Sequence, residues 1–344
     1  MTGPFPYGVE QLPPHVRLMT IVAAKWMAQP IVVLAELDVA GALADGPLDT
    51  GELAARVDAD ADRLGRVLRA AECLGVVARE PGAGGWRMTE MGAVLRADVA
   101  HSLRDFTLFL GDPATMASFA ELTGTVRGGA PGFDRAHGRP LFEHLAHAPE
   151  LARRYQGAWG PLTEELAEEA ASDFDFGRFG VLADIGGGRG ELLAGLLPTL
   201  PHSRGILVDR PDVLESAARR FADGPLAGRV DFAPLGSVPA EADAYLFKNV
   251  LHCFPDETCA ELLADVAAAM KGRPHTRLVL VEAIVADDDR FDWAKFIDIE
   301  VMADNGGRER TEAEWVALLG AAGYDVVSIT PTTPPQSIIE AELA

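Results

Sequence analysis

Cysteine is scarce in this 344-residue chain, with only Cys73, Cys253 and Cys259. They lack the paired spacing of a metal knuckle, and three cannot build a disulfide framework. Basic charge is also in deficit: 30 Lys and Arg face 52 Asp and Glu, for a formal net charge of −22. That balance works against nucleic acid, whose binding depends on neutralising phosphates. No basic-then-apolar leader opens the sequence, and no uninterrupted apolar run reads as long enough to cross a bilayer. The expectations are a cytoplasmic protein with neither a nucleic-acid nor a membrane partner. What is plentiful is apolar residue, 48% of the chain, enough for the cores of the two domains that this length favours.

The chain is organised around Val181-Leu-Ala-Asp-Ile-Gly-Gly-Gly-Arg-Gly-Glu-Leu-Leu193. An apolar run enters, glycines occupy 186, 187, 188 and 190, and a new apolar periodicity leaves. Strand, tight turn and helix start is how an α/β sheet offers backbone N–H groups to a ligand. The dinucleotide fingerprint is missed by one place: the third glycine comes early, as Gly190, and Glu191 stands where a small residue would meet pyrophosphate. A carboxylate there repels phosphate and suits a cationic ligand, which argues against a nicotinamide-dependent oxidoreductase. A tight turn needs fewer than four glycines in five positions, so a ligand loop is the stronger reading. Asp184-x-Gly186-x-Gly188-x-Gly190 closing a strand resembles the first motif of class I S-adenosylmethionine-dependent methyltransferases.

Toward the N-terminus, residues 1–17 are Pro-rich and read as an irregular arm, and Met19 to Met27 reads helical. The apolar segments through Leu43 extend over more than one face, as in a helix buried in a core or against another subunit. Two short helices, Thr50–Val57 and Asp60–Leu74, each open on a capping-type residue. A hairpin follows, Gly75–Arg79 and Trp86–Thr89 around a Pro-Gly-Ala-Gly-Gly turn. This is a winged-helix order, so a DNA-binding regulator has to be weighed. Residues 1–100 hold 13 acidic and 9 basic side chains, a net of −4, and acids surround Arg63, Arg66 and Arg69. Scaffold is the better reading.

Beyond 177, strands alternate with helices, as in a mostly parallel sheet. Seven are expected: Val181–Ile185, Gly205–Val208, Val230–Ala233, Ala244–Phe247, Leu278–Val281, Asp325–Ile329 and Ser337–Glu340. Asp209 ends the second, where an acid can accept both ribose hydroxyls of an adenosine cofactor or cap the next helix. The fourth runs into Phe247-Lys-Asn-Val-Leu-His252, which puts Lys248 and His252 at the carboxyl edge of the sheet. Glu282 ends the next strand, and Gly306-Gly-Arg-Glu-Arg-Thr311 supplies Glu309 on a glycine-rich turn.

With these two segments the chain resembles plant-type phenolic O-methyltransferases and their bacterial relatives acting on polyketide and antibiotic scaffolds. The resemblance implies a Rossmann-like seven-strand α/β methyltransferase domain, residues 171–344. Before it would stand a mainly helical winged-helix dimerisation domain, residues 1–170, with substrate-lining helices. It further implies a homodimer, S-adenosyl-L-methionine as cofactor with S-adenosyl-L-homocysteine as product, no metal, and an aromatic acceptor. His252 is then the general base, flanked by Glu282 and Glu309. Asp184, Gly186, Gly188, Gly190, Asp209 and Lys248 hold the cofactor. Phe142, Trp159, Phe296 and Met302 line the acceptor pocket, although apolar residues at helical spacing also serve as plain core.

Two departures qualify this. Cys253-Phe254 replaces the family's Asp-Trp after the histidine; Cys253 reads as a small buried apolar residue turned away from its neighbour. Val230-Asp-Phe-Ala-Pro-Leu-Gly-Ser237 is shortened where the family contacts adenine. They keep open the same fold and cofactor with C-methylation, hydroxylation or decarboxylation.

Overall fold

The computed structural model describes residues 12–82 and 84–344. Most of the expected irregular arm lies outside them; its last residues are helical, since Pro14–Val22 forms a helix with proline in its first turn, where the missing N–H costs nothing. Packing divides the chain into two units. One runs to Pro113 and takes in Arg153–Ala158; the other comprises Ala114–Ala152 and Trp159–Ala344. The boundary expected near 170 lies inside one helix, Pro149–Asp173, whereas the packing changes unit after Pro113, Ala152 and Ala158.

In the first unit, the helices Pro14–Val22 and Lys25–Glu36 are separated by a turn at Ala23–Ala24. Together Pro14–Glu36 is long and apolar enough to cross a bilayer by length and composition. The expectation concerned uninterrupted apolar runs, and Arg17, Lys25 and Pro30 interrupt this one. Thr50–Arg56 and Ala61–Cys73 follow, capped by Asp49 and Asp60; Asp49, not Thr50, makes the first cap, through a reciprocal pair of bonds with Glu52. Strands β1 (Val77–Arg79) and β2 (Trp86–Met88) pair antiparallel. Trp86 is buried beneath them. Its indole N–H donates to Thr50 Oγ1 at 2.8 Å, and the Arg79 guanidinium lies 4.1 Å from its ring centre. The helix–helix–wing order is therefore present.

The second unit carries the seven-stranded sheet: β3 (Val181–Ile185), β4 (Arg204–Asp209), β5 (Val230–Pro234), β6 (Ala244–Lys248), β7 (Arg277–Ala283), β8 (Tyr324–Pro331) and β9 (Gln336–Leu343). All seven expected strands are present. Their order is β5-β4-β3-β6-β7-β9-β8, parallel except for β9, which runs antiparallel to both neighbours. Both faces are covered, so the central strands are buried on both sides. Leu182, Leu246 and Val279 join one apolar cluster with Leu193, Leu196 and Phe176. Alternate residues Ala183, Tyr245, Phe247 and Leu280 join the other, with Leu263 and Trp315. The chain leaves β3 toward β4 and later returns to place β6 on the other side. Such a reversal opens a crevice at the carboxyl ends of β3 and β6, where open α/β sheets bind ligands.

Candidate active site

The glycine loop sits at that crevice. Gly186, Gly188 and Gly190 have φ of 72°, 61° and 82°, a region L side chains rarely enter. The Gly188 N–H donates to Asp209 Oδ2 at 2.8 Å, and the Arg210 N–H to Asp209 Oδ1 at 2.7 Å. Asp209 thus ties the loop after β3 to the end of β4, with lone pairs left for a further donor. Beneath the loop, Asp184 is buried with neither carboxylate oxygen hydrogen-bonded. Burial, then the charges of Asp209 and Glu191, push its pKa up to about 7. Glu191 is not the free acceptor for a cation that the sequence implied, because Arg189 and Arg220 already approach its carboxylate at 2.8 and 3.7 Å. Lys248, at the end of β6, is no surface lysine. Its ammonium donates to Thr163 Oγ1 at 2.9 Å, and burial lowers its pKa to about 8 against the opposing pull of Glu282, Glu191 and Asp184.

After Lys248 the chain turns through Asn249, at φ 51°, into the short 3-10 turn Leu251–Cys253. Glu282 Oε1 caps that turn, accepting from the N–H groups of Val250 and Leu251 at 2.9 and 3.0 Å. The loop 306–310 clamps it from the other side. The Arg308 N–H donates to the His252 carbonyl at 2.9 Å. A Cβ on Gly307 would lie 2.0 Å from the same oxygen, so only glycine permits the approach. Arg310, 1% exposed, bonds Asp256 Oδ1 at 2.6 Å and the carbonyls of Phe254 and Leu251 at 3.2 and 3.3 Å. Glu309, between these two anchors, has its N–H bonded to Asp298 Oδ1 at 2.8 Å. Its carboxylate Oε1 lies 2.6 Å from His252 Nδ1.

The nearest ligand atoms of His252, Glu282 and Glu309 lie within 4.8 Å of one another, all three residues buried. Glu309 Oε2 and Glu282 Oε2 have no hydrogen-bond partner. Burial raises the Glu282 pKa to about 7. For His252, burial opposes the charged imidazole, but Cys253 and Glu309 outweigh it and its pKa rises well above 6.5. The Cys253 side chain, expected to turn away, is therefore close enough to act on the ring. With Nδ1 engaged by Glu309, Nε2 is the nitrogen left for chemistry.

Of the residues named for the acceptor pocket, Phe142 lies beside the His252 turn, its ring 6.3 Å from that of Phe254. The Trp159 carbonyl accepts from Thr163 Oγ1, the hydroxyl that Lys248 also bonds. Phe296 is exposed on the helix Ala294–Asp304 and stacks with Phe291 and Trp293. Met302 is half-buried on the same helix. In the shortened segment, Ser237 Oγ donates to its own turn at Pro234 O, while the Leu235 N–H bonds the Asp209 carbonyl. Sequence reasoning missed Asp298, Thr163 and Glu300, and the individual tasks of Gly307 and Arg310. The last two stand inside the quoted motif, whereas the first three carry no local signal.

A glycine loop at a sheet switch point, an acid ending the next strand and a buried His–Glu pair define a small-molecule group-transfer fold of the methyltransferase class. Residues 119–325 match the profile of the O-methyltransferase domain, and residues 19–98 that of the O-methyltransferase dimerisation domain. The chain belongs to the O-methyltransferase family. It is 35% identical over 317 residues, 90% of each chain, to an 8-amino-8-demethylriboflavin N,N-dimethyltransferase of Streptomyces davaonensis. With a phenazine O-methyltransferase of Lysobacter antibioticus it shares 32% over 328 residues, 94% of this chain and 95% of the other. Among solved structures it is similar to an O-methyltransferase of neocarzinostatin biosynthesis, with a TM-score of 0.78, 28% identity, and 92% of this chain and 96% of the other covered. That enzyme was crystallised with S-adenosylmethionine and 2-hydroxy-5-methyl naphthoic acid.

The Asp184 carboxyl yields a test. Its folded pKa, raised from 3.8 to about 7, favours the protonated fold below 3.8, and that contribution is lost as pH rises through 7. Asp184→Asn is expected to gain a few degrees in melting temperature over the ligand-free wild type at pH 8, and distinctly less at pH 5. An equal difference at both pH values would refute the assignment.

Proposed function

We propose that the enzyme methylates a hydroxyl, phenolic in kind, on an aromatic natural product such as a polyketide or antibiotic intermediate, with His252 as general base. The observation that carries this is the 2.6 Å bond from His252 Nδ1 to Glu309 at the carboxyl edge of the sheet, one turn from Lys248. A phenol is a weak nucleophile until its proton leaves. In this reading Glu309 fixes the imidazole tautomer, Nε2 takes the proton, and Glu309 stabilises the imidazolium that forms. Glu282 and Arg310 keep the turn in place.

The residues fit S-adenosylmethionine, a cation with donors at both ends. Asp184 lacks any donor, Asp209 has capacity to spare, and Gly186, Gly188 and Gly190 hold the positive φ that the loop needs at the mouth of the crevice. Lys248 joins them at the end of β6. Bound there, S-adenosylmethionine supplies a methyl group on a sulfonium and departs as the neutral thioether S-adenosylhomocysteine. Positioning and proton removal remain for the protein. Phe142, Trp159, Phe296 and Met302 are proposed to contact the acceptor. A second reading, methyl transfer to an aryl amine, is favoured by the N,N-dimethyltransferase relative.

Replacing His252 by Ala is expected to lower kcat about 10²–10⁴-fold while calorimetry with S-adenosylhomocysteine gives an unchanged dissociation constant. Near-normal turnover on a phenol would remove the base and favour the amine reading. Because the His252 pKa is raised, the neutral base forms only above pH 6.5, so kcat/KM should climb to a plateau with a midpoint above that value. Glu309→Gln should move the midpoint down; a midpoint that stays put would separate Glu309 from the titration.

No metal is proposed, because Glu309 Oε1 and His252 Nδ1 face each other directly and Glu282 Oε1 serves two amides. Turnover should survive prolonged chelation; loss restored by one divalent metal would reverse this.

The cytoplasmic homodimer is proposed on the dimerisation match and on an exposed apolar surface of Leu18, Met19, Ile21, Val22 and Trp26, the last 72% exposed. A second copy is its natural cover, which also reads Pro14–Glu36 as an interface and not as a membrane span. The double variant Val22→Glu, Trp26→Glu should give a monomer mass by light scattering. A persistent dimer would place the interface elsewhere.

A further inference from the structure

The helix Ala294–Asp304 carries Phe296, Glu300 and Asp304 at intervals of four, hence along one face. Exposure falls along it: Phe296 is 53% exposed, Glu300 half-buried, Asp304 3% exposed. The two ends have partners. Phe296 stands with Phe291 and Trp293 at centroid distances of 5.4 and 6.1 Å, an aromatic rim, and Asp304 accepts from the Ser118 hydroxyl. Glu300, between them, makes no hydrogen bond or ion pair to any described residue.

The groups acting on Glu300 are Asp304, Glu309 and His252. Its charge thus meets two further carboxylates, and the one cation among them is the imidazole already bonded to Glu309. The site independently lacks donors: Glu309 Oε2 and Glu282 Oε2, in side chains 3% and 0% exposed, are both unpartnered. An ionised carboxylate only accepts, and an N–H donor or a cation brought among these carboxyls favours the ionised form. Ionised, the group is complementary to an N–H donor or a cation and repels an anion.

We propose that Glu300 is a specificity residue, selecting an aromatic acceptor that carries an N–H group, an aryl amine or protonated ring nitrogen, besides the group methylated, and rejecting aryl carboxylates. This rests on the methyl-transfer reading above. Phe296 and its two aromatic neighbours form the rim such a flat molecule crosses. Burial, then Asp304, lifts the Glu300 carboxyl to about 7, as fits an acid held without a donor. The N–H of the acceptor supplies the missing bond, and its strength is that of a charge-assisted pair.

The test uses naphthalene probes of one shape: aminonaphthols, dihydroxynaphthalenes and hydroxynaphthoates, with methylation followed by mass spectrometry and binding by calorimetry on the full chain loaded with S-adenosylhomocysteine. The wild type should favour aminonaphthols over dihydroxynaphthalenes by roughly tenfold in KM and take hydroxynaphthoates worst. Glu300→Gln keeps the size of the side chain. It should raise KM for aminonaphthols roughly tenfold with a smaller change in kcat, and erase the amino preference in binding. A wild type that ranks diols or naphthoates first, or a Glu300→Gln protein with the same ranking as wild type, overturns the proposal while leaving aromatic methylation standing. If S-adenosylhomocysteine binds but no probe of any set is methylated or bound, the aromatic-acceptor reading fails, and this one with it.

Discussion

The site depends on two stretches of backbone crossing at van der Waals distance. The His252 carbonyl receives the Arg308 N–H, and the crossing is close enough that Gly307 has no room for a side chain. Glu309 and His252 are 57 residues apart in sequence, yet the crossing leaves their side chains little choice but to meet. Arg310 then locks the turn from beneath, reaching two of its carbonyls and Asp256. The strength of the His–Glu bond therefore comes from backbone geometry as much as from charge, since neither group can swing away into water.

The electrostatics of the second unit follow a single theme. Asp184, Glu282, Glu300 and Asp304 are all held above their ordinary carboxyl range, in each case first by burial. The cations that counter the first three are Lys248, lowered, and His252, raised, while His137 acts on Asp304. Such a cluster is costly in a ligand-free fold and becomes favourable when a cation enters. The net charge of −22 extends the same bias to the surface, where it draws positively charged molecules inward.

Much of this was legible in the sequence, and the reasons differ by element. The seven strands were readable because each is a short β-branched or leucine-rich run closed by a turn residue, and burial on both faces leaves no ambiguity of period. Glu309 was readable because it sits in a glycine-rich motif, and His252 because it closes the segment Phe247–His252 at the end of an apolar strand. Glu300 was not, because a single acid in a helix looks like any solvated face until its neighbours are known. The parting of the two units was misplaced because a helix of 25 residues runs through it, and helical periodicity does not say which neighbour a face will choose.

The order of the strands has a further consequence. β9 lies between β7 and β8, and five successive residues, Ser337–Ala341, are buried there. During synthesis, β7 therefore has an unpaired edge until residues 336–343 have left the ribosome, and β7 is the strand that aims Glu282 at the histidine turn. The nascent chain can close its glycine loop early, from β3 and β4, but the half of the crevice that holds the His252 turn has to wait for β9. An exposed edge of this kind is a template for mispairing. Until β9 docks, that edge of β7 stays open, and a chain stopped before residue 336 would keep it so.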